Sequence, residues 1–262
     1  MKLNFCSLSS GSSGNCYYIG NEFHGILVDA GISATSIRKH LKSIDVSLQS
    51  IMGVLVTHNH SDHIRGLEVL IRKNHIPVFT TKNIWKSLNS QCNITSDCTR
   101  EIPLREKFHL SGFDIEAFPV SHDAPETIGF NLNYMGKTLT IATDLGHVCE
   151  TSASYMRNAN ILIIESNYDE KMLAEGSYPY YLKKRIQSNN GHLGNDQTSD
   201  FLSRVISERL SCICLAHLSK NNNTPELALQ SIRNRFIEKG LLLPPQIIVL
   251  NRNTPSQVIT ML

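Results

Sequence analysis

At 262 residues, 41% of them hydrophobic and 18% charged, the chain is long enough for one large α/β domain with a full core. It is too evenly composed for intrinsic disorder, a fibrous repeat or a bundle of membrane spans. A formal net charge of +2 is too mild to establish a polyanionic partner, although Lys183-Lys184-Arg185 forms a local cluster able to meet phosphates. Residues 1–262 are therefore expected to make a single domain whose function is written in motifs rather than in bulk charge.

The predicted elements begin with a strand over residues 3–8, a Ser/Gly-rich turn over 9–15, and strands over 16–20 and 25–31. Ile37, Leu41 and Ile44 share a face, which predicts a helix over 36–44, and a buried strand follows at 52–57. Ile64, Leu67, Leu70 and Ile71 recur at helical spacing, so a helix over 64–74 should start directly after His63 and leave the preceding His-rich segment as a strand-to-helix loop. Alternation returns over 113–120, 127–133 and 137–142, with Met135-Gly136 as a hairpin turn. His122 and Asp144 fall just past strand ends. Residues 160–165 and 212–216 read as buried strands, and 196–210 and 225–240 as amphipathic helices, the second opened by Thr224 as N-cap and Pro225 at the first helical position. This mixture predicts two sheets sandwiched between helices, one sheet from each half of the chain.

Cys6, Cys16, Cys92, Cys98, Cys149, Cys212 and Cys214 are odd in number and show no Cys-x-x-Cys spacing, so reduced, mostly buried thiols are expected. No apolar run reaches the length of a membrane span, and residues 1–6 run straight into a polar segment. The expectation is a cytoplasmic chain with no membrane partner; the oligomeric state is open.

Chemistry concentrates in Thr57-His58-Asn59-His60-Ser61-Asp62-His63. Neutral imidazoles and carboxylates are the donors that borderline divalent ions such as zinc prefer, and four of them crowd into positions 58–63. In extended chain, residues two apart point alike, so His58 with His60 and Asp62 with His63 can serve two adjacent ions. A lone histidine is more often an ordinary surface or core residue than a ligand; His24, His40, His75, His109 and His147 are read that way. The combination His-x-His-x-Asp-His between a buried strand and a helix is far more specific.

This segment resembles the signature of the metallo-β-lactamase superfamily, whose fold is an αββα sandwich of two mixed β-sheets flanked by helices. The resemblance implies three further ligands at strand ends: His122 in Val120-Ser121-His122-Asp123, Asp144 in Ala142-Thr143-Asp144-Leu145-Gly146, and His217 in Ala216-His217-Leu218-Ser219. One ion would take His58, His60 and His122, the other Asp62, His63 and His217, with Asp144 bridging and Asp29 bracing the site. Two divalent cations, zinc or manganese with iron as a third candidate, lower the pKa of a shared water towards about 7, giving a hydroxide nucleophile that Asp62 would orient. Lactamases of the best-known type carry cysteine where Asp144 stands; aspartate favours a harder pair suited to phosphate oxygens, which puts phosphodiester hydrolysis ahead of β-lactam opening.

A leaving alkoxide also needs a proton, for which a histidine held by a carboxylate is a natural donor. Ile164-Glu165-Ser166-Asn167-Tyr168 and Gly191-His192-Leu193-Gly194-Asn195 are similar to motifs of the superfamily's tRNA-processing endonucleases, which implies a proton shuttle through Glu165 and His192. Over nearly its whole length the chain resembles the WalJ/YycJ family of exonucleases, through Leu8-Ser9-Ser10-Gly11-Ser12-Ser13-Gly14-Asn15, Glu165-Ser166-Asn167-Tyr168-Asp169, Gly191-His192-Leu193 and His217-Leu218-Ser219. That resemblance implies 5′ to 3′ exonuclease action on DNA, with Ser219 in substrate binding. Gly194 departs from the family's pattern, where serine is expected, and removes a hydroxyl near His192.

Other readings stay open at this point. A thioester hydrolase of the glyoxalase II kind shares the first motif but not the Glu165–His192 pair. An RNA-processing nuclease would carry a long substrate arm, for which the segment between His122 and Asp144 is too short. A metal-stabilised regulatory protein would keep the fold without the chemistry. Core elements fill the stretch between Asp144 and His217, so no inserted cap is expected and the cleft should be open.

Overall fold

The computed structural model describes residues 2–92, 96–241 and 244–262. The chain first forms β1 (Leu3–Ser9), β2 (Cys16–Gly20), β3 (Gly25–Val28), α1 (Ala34–Ser43), β4 (Ile51–Leu55), α2 (Ser61–Ile64), α3 (Leu67–Asn74), β5 (Val78–Thr80), α4 (Lys82–Asn89) and β6 (Thr99–Glu101). It continues through β7 (Lys107–Leu110), β8 (Phe113–Pro119), β9 (Ile128–Tyr134), β10 (Lys137–Ala142), α5 (Glu150–Arg157), β11 (Ile161–Glu165), α6 (Glu170–Glu175) and α7 (Tyr180–Ile186). The last elements are α8 (Asn195–Val205), β12 (Cys212–Ala216), α9 (Pro225–Glu238), β13 (Gln246–Val249) and β14 (Ile259–Met261). Among the described residues the strands make two seven-stranded mixed sheets, ordered β14-β1-β2-β3-β4-β5-β6 and β13-β12-β11-β10-β9-β8-β7. This is the αββα sandwich expected from the resemblance.

The sandwich follows from how strands divide their side chains between two faces. β11 has no polar break before Glu165 because both its faces are covered: Ile161 and Ile163 join the core between the sheets with Phe130 and Leu139, while Leu162 and Ile164 pack under helices with Phe201, Leu202 and Ile232. Each such side chain contributes about 1.5–3 kcal/mol on burial. β9 alternates instead. Phe130 and Leu132 face the core, and Asn131 and Asn133 turn outward to donate to Thr140 and Thr138 at 3.1 and 3.0 Å.

Two expectations need correction. The helix over 64–74 is interrupted: α2 closes at Ile64 and α3 opens at Leu67. The Gly66 N–H donates to Ala30 O at 2.7 Å, and a Cβ on Gly66 would stand 2.3 Å from Ile32 O, so the chain bends hard against the end of β3. Asp62 and His63 consequently sit in a helical turn, not in extended chain. The sheets also do not divide cleanly between halves of the chain, because β14 returns to pair antiparallel with β1, Leu3 opposite Met261. Thr224 caps α9 as expected, accepting from the Leu227 N–H at 3.2 Å.

Strand direction positions the site. β10, β11, β12 and β13 are mutually parallel, and β8 runs the same way because β8 and β10 are both antiparallel to β9. Their C-terminal ends therefore share one edge, where His122, Asp144, Glu165 and His217 emerge. The parallel pair β3–β4 delivers Asp29 and His58 from the other sheet. Ligand sites favour such crevices beyond strand C-termini. Among the described residues no helix is long and apolar enough to cross a membrane.

Candidate metal centre

The strand-to-loop junctions here are held in costly conformations. Asp29, Asp144 and His217 have φ of 59, 55 and 55°, a left-handed region that costs a non-glycine residue about 1–2 kcal/mol. Three such residues at strand ends of the two sheets, gathered at one site, point to a geometry kept for its function. Close approach is needed as well: a Cβ on Gly31 would fall 1.6 Å from Asp62 O. That contact packs the end of β3 under α2, and the Ser/Gly-rich turn joins it through Asn15 N–H to Asp62 O (2.7 Å) and Gly31 N–H to Asn15 O (2.8 Å).

The scattered donors converge. His58, His60 and His122 each place a ligand atom within 4.8 Å of the others, and so do Asp62, His63 and His217. These groupings coincide with the two sets that the resemblance implies. Asp144 lies between them, with Oδ2 3.2 Å from His63 Nε2, and Oδ1 3.9 Å from His122 Nε2. Asp62 Oδ2 stands 3.6 Å from the Nε2 atoms of both His63 and His217.

The donor set fits divalent ions by its unmet demands. Nε2 of His58, His122 and His217 and Oδ2 of Asp144 are buried without hydrogen-bond partners. Each such group costs about 1–3 kcal/mol, so four at one locus call for an electrophile. Imidazole nitrogen and carboxylate oxygen suit zinc, manganese or iron.

The opposite ring nitrogens are all committed. His63 Nδ1 donates to Asp29 Oδ2 at 2.7 Å, His122 Nδ1 to Gly191 O at 3.1 Å, and His217 Nδ1 to Glu165 Oε1 at 2.7 Å. Thr57 Oγ1 donates to Asp29 Oδ2 at 2.9 Å and accepts from His58 Nδ1 at 3.0 Å. With Nδ1 committed in each case, each Nε2 is left facing the centre, where a bound cation would take its lone pair. Asp29 thus occupies the bracing position expected of it. Asn15, to which the sequence reading gave a place in a turn and a motif but no role at the site, brings Nδ2 within 3.0 Å of His63 Nε2. Asn167 donates to His217 O at 2.8 Å.

Charge at the centre is balanced by imidazoles. Burial pushes the His58 pKa well below its ordinary value and also lowers that of His60. His63 and His217 go the other way. Burial opposes their protonation, but Asp144 and Asp29 override it at His63, and Asp144, Asp62 and Glu165 push His217 up to about 10. Asp144 is held well below the carboxylate range because His217 and His63 outweigh its burial. For Asp29 burial prevails, and its pKa rises.

Glu165 is fully buried yet has no unmet demand. Its Oε1 accepts from Nδ1 of His192 (2.8 Å) and of His217 (2.7 Å), and its Oε2 from the N–H groups of Leu145 (3.0 Å) and Leu193 (3.2 Å). Burial works against its ionisation, but His192 and His217 hold the pKa down at about 2. Reciprocally, Glu165 raises the His192 pKa against the effect of burial. One carboxylate thereby orients both a candidate ligand and His192, whose ring lines a cleft of about 260 Å³ together with Asp62, Asp144, Arg185 and Ser219. Ser219 lies on the wall, and its hydroxyl accepts from the Asn222 N–H at 3.2 Å. At Gly194 a Cβ would come 2.4 Å from Glu170 Oε1, which receives the Asp196 N–H at 3.3 Å. A carboxylate from α6 therefore caps α8, a task for which a serine hydroxyl would otherwise serve.

Comparison with known proteins agrees with this geometry. The Beta-lactamase superfamily domain matches residues 24–213. The chain is 36% identical over 241 residues to "Exodeoxyribonuclease YycJ" of Bacillus anthracis, covering 92% of this chain and 91% of that protein. It is 35% identical over 237 residues to "Exodeoxyribonuclease WalJ" of Streptococcus pneumoniae, covering 89% and 88%. The crystal structure of the metallo-beta-lactamase fold protein YhfI from Bacillus subtilis superposes with a TM-score of 0.76 at 13% identity over the full length of both chains, a likeness of fold alone. The chain belongs to the metallo-β-lactamase superfamily and is related by homology to its WalJ/YycJ branch.

Proposed function

We propose that this chain is a metal-dependent phosphodiesterase that digests DNA from an end, in the 5′ to 3′ direction, and that all 262 residues act as one catalytic domain. The observation that carries the reading is the Glu165–His192 pair, 2.8 Å apart, beside the two donor sets. The names of the two relatives, both exodeoxyribonucleases, support it. Seven free cysteines suit a reducing cytoplasm.

In this reading His58, His60 and His122 would hold one divalent cation and Asp62, His63 and His217 the other, with Asp144 available to both. When bound, the cations supply Lewis acidity towards phosphoryl oxygens and a water acidified enough to attack at neutral pH. Asp62, whose side chain is 19% exposed to the cleft, orients that attacking water. Glu165 fixes the Nδ1–H of His192, so the opposite nitrogen carries the proton to the departing alkoxide. Ser219 and Arg185 on the cleft wall contact the substrate backbone.

The test is to incubate the metal-loaded chain with 5′-phosphorylated duplex DNA, single-stranded DNA, RNA and a thioester panel, with Asp62→Ala as control. Nucleotide release from DNA that disappears in Asp62→Ala is the expected result. Thioester turnover without cleavage of any nucleic acid overturns the proposal.

A further inference from the structure

α7 forms one lip of the cleft, to which Leu182, Arg185 and Ile186 belong, with Tyr178 just before the helix. None of its seven residues is fully buried, so its side chains are not there to fill the core. Tyr180 and Tyr181 are 75% and 74% exposed, a placement with no benefit for folding. Residues four apart share a helix face, which sets Tyr181 beside Arg185 at the lip and Tyr180 beside Lys184. The Lys184 ammonium stands 5.5 Å over the Tyr180 ring. The cations differ in their commitments: Lys183 donates to Ala174 O at 2.6 Å, whereas Arg185, paired with Asp123, is 61% exposed and lines the cleft. No acidic residue lies within α7.

We propose that this lip is a platform for an unpaired nucleic acid strand, whose bases stack on Tyr180 and Tyr181 and whose phosphates meet Lys184 and Arg185 on the way into the cleft. The inference rests on the DNA reading and names the form of DNA engaged. A base in a duplex is already covered by its neighbours, so solvent-exposed aromatic rings select single-stranded segments, and the adjoining cations complement the backbone. Continuity with the cleft sets the path: a strand held on the outer face of α7 passes Arg185 before it reaches Asp62 and His192.

The experiment measures binding of the metal-loaded full chain to a fluorescent, phosphorothioate-linked single strand that resists cleavage, and to an abasic strand of equal length and charge. The Tyr180→Ala/Tyr181→Ala variant should bind the base-containing strand about ten-fold or more weakly than wild type and the abasic strand equally well. Tyr180→Phe/Tyr181→Phe should restore binding, since stacking needs the ring and not the hydroxyl. Unchanged melting of both variants establishes that the fold is intact. Equal affinity of wild type and the alanine variant for the base-containing strand overturns the platform. So does an equal loss on the abasic strand, or a shift from dimer to monomer on sedimentation with strand affinity preserved. Nucleotide release by wild type from cleavable DNA judges the proposed function separately: none, alongside a base-dependent loss, removes the nuclease activity and leaves the platform standing.

Discussion

Replacing Glu165 by glutamine changes almost no volume but removes one acceptor and adds a donor where five donors already converge, the fifth being the Asn167 amide at 3.5 Å. If the new amide nitrogen faces Leu145 and Leu193, it meets backbone N–H groups now 3.0 and 3.2 Å from Oε2, which cannot reverse polarity. Two buried donors lose their partner at about 1–3 kcal/mol each, a destabilisation of roughly 2–6 kcal/mol. If the amide nitrogen turns the other way, Nδ1 of His192 and of His217 must become acceptors. His217 then carries its proton on Nε2 and loses the lone pair aimed at the centre. Either arrangement should weaken metal uptake by about 10–100-fold, the usual scale for groups that orient ligands. The assay is titration with zinc against a chromophoric chelator, alongside thermal melting of the metal-free protein. Affinity within two-fold of wild type together with an unchanged melting temperature would refute the reasoning.

His192→Ala should lower kcat by about 10²–10⁴-fold with metal content unchanged by elemental analysis, because its Nδ1 is hydrogen-bonded to Glu165 Oε1 at 2.8 Å; since its ring also lies within reach of Asp144 and His217, loss of bound metal would make it a ligand instead. Gly31→Ala places a methyl 1.6 Å from Asp62 O, so melting should fall and metal content with it, whereas a normally loaded variant would show that α2 shifts freely. Metal uptake should release protons. His63 and His217 carry raised pKa values in the metal-free chain, and a ligating imidazole is neutral, so protons leave on loading and affinity climbs with pH until those groups are already neutral. Calorimetry in buffers of different ionisation enthalpy measures the release, and heats independent of buffer would contradict it.

The parts of the molecule legible in the sequence are those fixed by burial or by chemistry concentrated in a few positions. β11 and β12 are covered on both faces and therefore read as continuous apolar runs, while α9 announces itself through Thr224 and Pro225. The site's densest segment, 58–63, needs no tertiary information, and strand ends bearing His122, Asp144 and His217 follow from resemblance. Strands of three or four residues such as β5, β6, β13 and β14 carry too few positions for a period to show. The break at Gly66 was invisible because it depends on Ala30 O and Ile32 O, contacts that exist only once β3 is in place. Asn15 and Asn167 escaped notice because a neutral amide supporting a ligand leaves no charge or periodicity signal. Gly194 read as a lost hydroxyl; the folded chain supplies Glu170 in that space from a different helix.

Shared ownership of Glu165 links metal loading to proton transfer. In the metal-free chain His192 titrates above its ordinary value because the Glu165 charge outweighs both burial and the repulsion of protonated His217. Loading removes a proton from His217 but brings divalent charge to the same side, and a bound cation inverts local pKa relationships. The His217 Nδ1–H stays with Glu165 Oε1, so the carboxylate's hydrogen bonds survive while the positive potential around His192 grows. Its pKa should therefore drop on loading, from a value suited to holding a proton towards one suited to exchanging it at working pH. NMR titration of the His192 ring in metal-free and zinc-loaded protein reads this directly. A pKa that stays fixed or climbs with zinc would mean that Glu165 insulates His192 from the centre, and the carboxylate would then serve the two histidines independently.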